Sequence, residues 1–375
     1  MKSKVLITVI DSINQTTMPY NEFVLFRNQY YPEEEQIIIQ TGNDVRVPLD
    51  AIPKEIKIYK VGKNPIRIRT TLKDIIERCK KNNCGWVIHL HSIRGSFSTL
   101  IAMFGLVSFR CTIYTIHSTY TGFKLHNKVF SFLDGLFAHF ITCVSKVSYN
   151  NYPELIKRFK GDRIQPLQNG VNTDRIDFVL ENNKLKENRG EEVRFVYIAR
   201  MIPLKNHKFL IDVLKKLHSS DPDNNIRFVF IGQEDPNGCI RKYAHESGVE
   251  NYIEFRGLIP REEVYIELSN SDIYISSSTL EGLPISLLEG MYCGLPGIIS
   301  NIPQHNEVAD GCNSLSVLPF DVDVWADKIQ YYSKLSSQER RQLGDISRRF
   351  AASNFSLHSM HRKYDNIYNQ IRCYK

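Results

Sequence analysis

The sequence lacks the features of membrane-spanning, zinc-binding and disulfide-rich proteins. Its longest uncharged apolar stretch, Phe97 to Phe109, includes serine and threonine and is shorter than the roughly 20 apolar residues that a membrane-spanning helix needs. Its 8 cysteines are scattered, and the closest pair, Cys79 and Cys84, makes neither a disulfide framework nor a paired zinc pattern. We therefore expect a cytoplasmic protein with reduced thiols and no membrane span.

A basic run with interleaved aromatic residues is also missing, which argues against a nucleic acid partner. The net charge of +7 is nevertheless uneven. Residues 1–175 have 24 Lys plus Arg against 14 Asp plus Glu, a charge of +10, whereas the remaining 200 residues have 24 against 27. The basic half can face anionic lipid, although scattered basic residues also make ordinary solvated surfaces. Both alternatives stay open.

Short apolar strands alternate with helical segments throughout the chain. A length of 375 residues with 42% hydrophobic content suffices for two cores of ordinary size. The alternation predicts parallel sheets with crossover helices. Because residues 177–192 are polar and charged, we predict a linker there, between an N-terminal domain at 1–176 and a second domain at 193–355, with a final helix at 356–375 that crosses back to the first domain. In the first domain, strands are predicted at 5–10, 36–40, 86–91 and 112–117.

The most informative stretch is Ser276 to Pro296, in which a short apolar strand leads through a loop into a helix. Pro284 suits the first helical position, and Gly294 suits a left-handed helix cap. A strand, a glycine-bearing turn and a helix start together present free backbone N–H groups, which suit a phosphate. Glu281 in the loop and Glu289 on the helix can accept hydrogen bonds from sugar hydroxyls, although glutamates at this spacing also occur on solvated surfaces.

The segment Glu281-Gly-Leu-Pro-Ile-Ser-Leu-Leu-Glu289 resembles the two-glutamate element of retaining GT-B glycosyltransferases of family 4, the glycosyl transferases group 1. Residues 169–172 resemble the interdomain turn of that family, and residues 195–206 resemble its strand followed by an arginine and a lysine. The resemblance implies an α/β protein of GT-B fold, with two Rossmann-like domains facing each other across a donor cleft. It also implies transfer of a hexose-type sugar from a nucleotide diphosphate sugar to a saccharide hydroxyl, with retention of anomeric configuration.

The resemblance also implies roles for individual residues. Arg200 and Lys205 follow a strand and precede a helix, where they would neutralise the departing nucleotide diphosphate. His117 ends a strand at the sheet edge where ligands of open α/β sheets bind. The implied catalytic residues are His117, Arg200, Lys205 and Glu281, and the implied donor-binding residues are Gly232, Gly282, Leu283, Pro284 and Glu289. The resemblance implies no metal, because this fold needs none, and no cofactor, because the UDP- or GDP-sugar is itself a substrate.

Two histidines on the preceding strand, His89 and His91, share one face because they alternate along it. Carboxylates or cysteines at a spacing useful for a metal are missing, so we interpret them as structural or acceptor-side residues.

The loop after the first strand departs from the family, since residues 11–19 contain no glycine where many relatives have a glycine pair. Close backbone approach to a phosphate is therefore not expected there. Ser12, Asn14 and Thr16 can supply side-chain donors instead, or the loop serves the acceptor.

The acceptor class expected from the resemblance is a saccharide or lipid-linked oligosaccharide in surface polysaccharide, O-antigen or capsule synthesis. Two alternatives stay open: a nucleotide-sugar epimerase on the same fold, and a non-catalytic partner subunit that only binds sugar nucleotides. The aromatic, lysine-bearing stretch from Phe123 to Phe140 is interpreted mostly as a core helix face. Its alternative is contact with lipid, which together with the basic half predicts peripheral attachment to the inner face of the plasma membrane.

Overall fold

The structure, a computed structural model of the chain, describes residues 4–13, 19–45, 52–183 and 192–371. The chain divides into two compact units, one of residues 1–168 with 358–375 and one of residues 169–357. In the described ranges, no helix is both long and apolar enough to cross a membrane.

A parallel sheet of seven strands forms the centre of the first unit. Its strands are β1 (Lys4–Ile13), β2 (Glu34–Val45), β3 (Lys57–Lys60), β4 (Gly85–Leu90), β5 (Thr112–Ile116), β6 (Phe140–Cys143) and β7 (Ile164–Pro166). Their spatial order is β3-β2-β1-β4-β5-β6-β7. A π-helical turn, Pro19–Leu25, precedes the first helix. The helices are α1 (Phe26–Tyr30), α2 (Pro65–Lys81), α3 (Ile93–Met103), α4 (Leu125–Phe137), α5 (Lys146–Asn150) and α6 (Glu154–Lys160). The central strands are runs of buried Val, Ile and Leu, as parallel strands covered on both faces require.

A second parallel sheet, of six strands, forms the centre of the other unit. Its strands are β8 (Val193–Ile198), β9 (Ile226–Ile231), β10 (Ile253–Gly257), β11 (Ile273–Ser276), β12 (Gly297–Ser300) and β13 (Leu315–Leu318). Their order, β10-β9-β8-β11-β12-β13, is the doubly wound Rossmann order. The helices are α7 (Thr173–Asn182), α8 (His207–Ser220), α9 (Cys239–Glu246), α10 (Arg261–Ser269), α11 (Ile285–Tyr292), α12 (Pro303–Ala309), α13 (Val322–Lys334) and α14 (Ser337–Asn354).

The unit boundaries differ from the domain boundaries expected above. Residues 169–176, assigned to the first domain, fold with the second unit, and so does α7, which includes the start of the predicted linker. The rest of that linker, residues 184–191, lies outside the described residues. The last helix, α15 (Leu357–Gln370), lies in the first unit from His358 onward and buries Tyr364 and Tyr368 there.

The strands predicted in the first domain are confirmed by β1, β2, β4 and β5. Sequence patterns missed β3 and β7, because one is half-exposed and carries lysine at both ends, and the other has only three residues. Among the residues that the structure describes, six cysteines are free thiols as expected, whereas Cys111 is disulfide-bonded.

The interpretation of the stretch from Phe123 to Phe140 as mostly a core helix face holds in part, since Phe123, Phe132 and Leu136 pack against the core of the first unit. The fully buried residues of α4 are Ser131, Asp134 and Gly135, whereas Leu125 and Phe137 are exposed. A Cβ atom on Gly135 would lie 2.3 Å from the hydroxyl oxygen of Tyr152, so the helix packs through its small residues. Leu125, Val129 and Phe137, by contrast, face outward.

Candidate functional site

The carboxyl edge of the second sheet brings two of the predicted catalytic residues into contact. Lys205 lies in a short 3-10 turn after β8, and Glu281 lies in the loop after the neighbouring strand β11. The Nζ atom of Lys205 forms an ion pair with Oε1 of Glu281. Because their side chains are only 19% and 13% exposed, the pair is more strongly coupled than a surface salt bridge. The site therefore combines a fixed ammonium with a carboxylate at the edge where ligands of such sheets bind.

The turn that carries Lys205 is held by hydroxyl groups from neighbouring strands. Tyr197 donates its hydroxyl to the carbonyl oxygen of Lys205 at 2.9 Å, and Ser277 donates to the carbonyl oxygens of Lys205 and Asn206 at 3.2 and 3.0 Å. Asn206 adopts a left-handed conformation, with φ of 51°, which allows the chain to turn into α8. These contacts position the ammonium relative to the loop of Glu281. Neither Tyr197 nor Ser277 was identified from the sequence, which has no motif for a hydroxyl that supports a backbone turn.

Glu289 lies on α11, is 5% exposed, and is paired with a residue that the sequence did not indicate. Arg261, the first residue of α10, donates from Nη2 to Oε1 of Glu289 at 2.5 Å. Tyr265 donates its hydroxyl to the same oxygen at 3.3 Å and accepts from Nε of Arg261 at 2.9 Å. The carboxylate is therefore held in one orientation by a cation from α10.

The residues between the two glutamates form the entry to α11. Gly282 is partly exposed, Leu283 and Pro284 are buried, and the helix begins at Ile285. The predicted cap is confirmed, since Gly294 has φ of 84°. Leu283 is 6% exposed, so its side chain contributes to packing, which leaves Gly282 as the accessible part of the turn.

Arg200 and Gly232 lie at the ends of β8 and β9. Arg200 is exposed, in contrast to the ion-paired Lys205. Gly232 has φ of 145°, and a Cβ atom there would lie 2.2 Å from the carbonyl oxygen of Ala199. Glycine is thus required at position 232, because two backbone segments approach each other closely at this edge.

Replacing Gly232 with alanine should destabilise the second unit more than replacing Gly257 does. Gly257 also has a positive φ, 64°, but no atom lies within 4 Å of an added Cβ. We expect Gly257→Ala to cost about 1–2 kcal/mol of unfolding free energy for its conformation alone. Gly232→Ala adds a clash with backbone that cannot move without displacing β8. Urea unfolding followed by the fluorescence of Trp325, which is buried in the second unit, measures both, and equal costs would contradict this explanation.

His117 directly follows β5 in the first unit, at the sheet edge where the sequence placed it. It is largely buried, and its Nε2 atom lies 2.8 Å from Nδ1 of His91, which directly follows β4. Burial lowers the pKa of His117 to about 4, so the imidazole is neutral at physiological pH. Both histidines line a cavity of about 170 Å³ together with Tyr114, Thr115 and Phe123. His89 lies deeper and bonds to Tyr368 and Thr115 instead.

Of the first-loop candidates, Ser12 lies in β1 and is partly exposed, whereas Asn14 and Thr16 fall outside the described residues. Among the described residues, no cluster of three or more His, Cys, Asp or Glu side chains has a metal-binding arrangement.

Comparison with known structures identifies the fold as GT-B. The crystal structure of a glycosyltransferase from Rickettsia africae ESF-5 matches with a TM-score of 0.79 at 21% identity, covering 99% of each chain. Anabaena Alr3699/HepE, solved in complex with UDP and glucose, matches with a TM-score of 0.75 at 14% identity, covering 96% of this chain and 98% of that one. The class that fold and site define is therefore a GT-B protein with two parallel-sheet α/β domains.

Residues 173–350 match the model of the family Glycosyl transferases group 1, which supports a glycosyltransferase. The capsular polysaccharide biosynthesis glycosyltransferase CapH of Staphylococcus aureus is 29% identical over 223 residues, 58% of each chain. Putative glycosyltransferase EpsD of Bacillus subtilis is 31% identical over 199 residues, 51% of each. An Escherichia coli galactosyltransferase, UDP-Gal:alpha-D-GlcNAc-diphosphoundecaprenol alpha-1,3-galactosyltransferase, is 26% identical over 231 residues, 59% of each. The chain thus spans between half and three fifths of the length of these relatives.

Proposed function

We propose that this protein is a retaining glycosyltransferase that moves a hexose-type sugar from a UDP- or GDP-sugar to a saccharide hydroxyl. The observation that carries the proposal is the Lys205–Glu281 ion pair at the carboxyl edge of the second sheet, within the residues that match the glycosyl transferases group 1 model. In the reaction, the bond between the anomeric carbon and the diphosphate oxygen breaks, and a bond from that carbon to the acceptor oxygen forms. The acceptor proton leaves with the nucleotide diphosphate.

The charges of the site match this chemistry. Negative charge grows on the diphosphate as its bond to the sugar breaks, so Lys205 and Arg200 stabilise the transition state more than the bound substrate. Glu281, paired with Lys205, accepts hydrogen bonds from hydroxyls of the transferred sugar. Gly282 and the start of α11 offer backbone N–H groups to phosphate. Glu289 on the same helix accepts from the ribose diol.

Surface polysaccharide assembly is the setting we propose, with a saccharide or lipid-linked acceptor. It is supported by CapH, a capsular polysaccharide enzyme, and by the E. coli relative, whose name specifies a diphosphoundecaprenol-linked acceptor.

The direct test is incubation of the protein with a panel of UDP- and GDP-sugars, with and without saccharide acceptors, followed by measurement of nucleotide release and product anomers. Release that requires acceptor, with retained configuration, is the expected result. Conversion of donor without acceptor would indicate the epimerase alternative, and binding without turnover across donors and acceptors would indicate the non-catalytic subunit.

Glu289→Ala should weaken binding of the nucleotide sugar by about 10- to 100-fold, because each charge-assisted hydrogen bond to the ribose contributes roughly 1.5–3 kcal/mol. The ion pair with Arg261 complicates this test, since the mutation also breaks that pair. Arg261→Ala is therefore the matched control, because it breaks the same pair and leaves the carboxylate in place. Calorimetric titration with UDP and with UDP-sugars measures both variants. Equal losses would show that the pair, and not ribose contact, accounts for the effect of Glu289.

We further propose peripheral attachment to anionic lipid through α3 and α4. Five apolar side chains are exposed on or next to these two helices, and we call them the α3–α4 apolar face: Ile101, Phe104, Leu125, Val129 and Phe137. The helices pack against each other, with the rings of Phe97 and Phe130 centred 5.0 Å apart. Lys124 and Lys128 lie on or beside α4, in the half of the chain that has a charge of +10. Apolar residues beside lysines are what an interfacial surface on anionic lipid requires.

Leu125→Ser should reduce sedimentation with anionic vesicles, whereas Phe178→Ser should not. Leu125 is 79% exposed on α4, and Phe178 is 68% exposed on α7 of the other unit. Phe178 is therefore a control with similar exposure that lies outside the proposed lipid-binding surface. Each basic residue near the surface contributes about 1 kcal/mol, and the attraction fades within about 8 Å at physiological salt. Binding should therefore also fall at high salt. A wild-type protein that stays in the supernatant with anionic vesicles at low salt would refute the attachment and favour a soluble acceptor.

A further inference from the structure

The contact between His91 and His117 has a direction that the surrounding residues determine. The Nδ1 atom of His91 and the Nε2 atom of His117 lie 2.8 Å apart, a hydrogen-bond distance. A hydrogen bond between two neutral imidazoles holds one proton, so one ring donates and the other accepts. If His91 donates, its Nε2 is a bare lone pair and the proton of His117 is on Nδ1. If His117 donates, His91 must carry its own proton on Nε2.

The environment of His91 Nε2 distinguishes these two arrangements. His91 is 8% exposed, and its Nε2 atom is buried with no hydrogen-bond partner among the residues that the structure describes. A buried N–H without an acceptor is rarer in proteins than an acceptor that is left unfilled. The arrangement in which His91 donates from Nδ1 is therefore the lower in free energy.

Other aromatic rings pack against the ring of His91, so the orientation of its Nδ1–H bond is fixed. The His89 ring lies 3.8 Å from it, centroid to centroid, and is itself anchored by bonds of 2.7 Å to Tyr368 and to Thr115. Phe23 packs its edge against both histidines, at 5.1 Å from His89 and 4.8 Å from His91. The imidazole of His91 therefore cannot rotate without displacing the rings of His89 and Phe23.

We propose that His91 is a positioning residue, which donates its Nδ1–H to Nε2 of His117 and so keeps His117 in the tautomer with its proton on Nδ1. His117 then has a free donor, its Nδ1–H, at the carboxyl edge of the first sheet. This donor favours a ligand oxygen that accepts a hydrogen bond. Under the proposed function, on which this role rests, that atom is a hydroxyl oxygen of the transferred sugar. His117 would accordingly orient the substrate and would not remove the acceptor proton through Nδ1.

The test combines a spectrum of the free protein with kinetics. In full-length protein labelled with ¹⁵N-histidine, long-range ¹H–¹⁵N correlation spectra distinguish protonated from bare ring nitrogens, and His117→Gln identifies the signals of His117. The expected wild-type pattern is a protonated Nδ1 and a bare Nε2. His91→Phe keeps a ring without the donor and should shift His117 towards Nε2–H. His91→Asn, whose amide can donate from nearly the same place, should restore the wild-type pattern.

In kinetics, His91→Phe should lower kcat/KM for the donor sugar by up to about tenfold, the effect of one lost neutral hydrogen bond, and His91→Asn should recover most of that loss. A wild-type spectrum with Nε2 protonated would overturn the proposal, as would equal losses in the two variants. If His91→Phe fails to fold, the wild-type and His91→Asn spectra still decide the tautomer. Absence of glycosyl transfer with every donor would refute the proposed function, while the spectrum would still report on His91.

Discussion

Replacing Lys205 with alanine should lower kcat by about 10²- to 10³-fold, the effect typical of removing one donor that stabilises transition-state charge. The ammonium is held by its ion pair with Glu281 and by the turn whose carbonyl Tyr197 binds, so no other side chain can easily take its place. Substrate binding should change less than turnover, because the charge on the diphosphate is greatest when its bond to the sugar has largely broken. Steady-state and single-turnover kinetics with the preferred donor separate the two effects.

Lys208→Ala is the matched control for this experiment. Lys208 lies on the same helix start, but it is exposed and its ammonium lies over the ring of Tyr243, at 5.0 Å from the centroid. It should keep near wild-type turnover. Arg200→Ala should also lower kcat, but by less than Lys205→Ala, because the exposed guanidinium is less fixed before the donor binds. Unchanged turnover in both Lys205→Ala and Arg200→Ala would contradict the leaving-group assignment.

Arg27→Met should destabilise the first unit by about 3–5 kcal/mol, as expected when one partner of a buried ion pair is removed. The guanidinium of Arg27 is fully buried and donates from Nε and Nη2 to the two oxygens of Glu34, each at 2.7 Å. Its Nη2 also donates to Asp365 at 2.8 Å, and its Nη1 lies 3.2 Å from Nδ1 of His361. These contacts join α1 and β2 to the final helix α15. Without Arg27, the buried carboxylate of Glu34 loses the guanidinium that binds both of its oxygens but keeps the longer pair with Lys4, whose Nζ lies 3.6 Å from Oε1.

Low pH should weaken the same connection. Burial alone raises the pKa of Glu34, but the hydrogen bonds and charge of Arg27 outweigh it, so the net pKa is lowered. A carboxyl group whose pKa is lower in the folded state adds stability above its unfolded pKa. That contribution is lost as the pH falls through the folded value.

The two tryptophans allow the effect of Arg27→Met to be assigned to one unit. Trp86 is buried in the first unit and Trp325 in the second, so Trp325→Phe leaves fluorescence from the first unit alone. In that background, urea unfolding should show the large loss for Arg27→Met. The control Lys57→Met breaks a pair with Glu35 in which the lysine side chain is 49% exposed, and should cost at most about 1 kcal/mol. Similar costs for Arg27→Met and Lys57→Met would show that the buried network is not what fastens α15.

Several features of this protein could be predicted from local patterns because the responsible residues lie close together in sequence. Buried strands such as β4 and β5 are short apolar runs, and the carboxyl ends of parallel strands meet at one sheet edge whatever their loops. The segment from Glu281 to Gly294 contains its own turn, helix start and cap. For these reasons the α/β class and the order of most elements followed from the sequence pattern, whereas the candidates Lys205 and Glu281 followed from the resemblance to a known family.

Long-range packing decided the rest. Arg261 pairs with Glu289 across 28 positions, and His91 meets His117 across 26, contacts that depend on how separate elements pack. The exposure of Leu125 and Phe137 on α4 was hidden for a related reason: periodicity indicates which residues share a helix face, but not which of them the core covers. Here the small residues Ser131 and Gly135 let the helix approach Tyr152 closely. The sequence by itself thus determined the layers of the fold and the residue types at its sheet edges, whereas only the tertiary structure decided their partners, because a partner is selected by packing between residues that are distant in the chain.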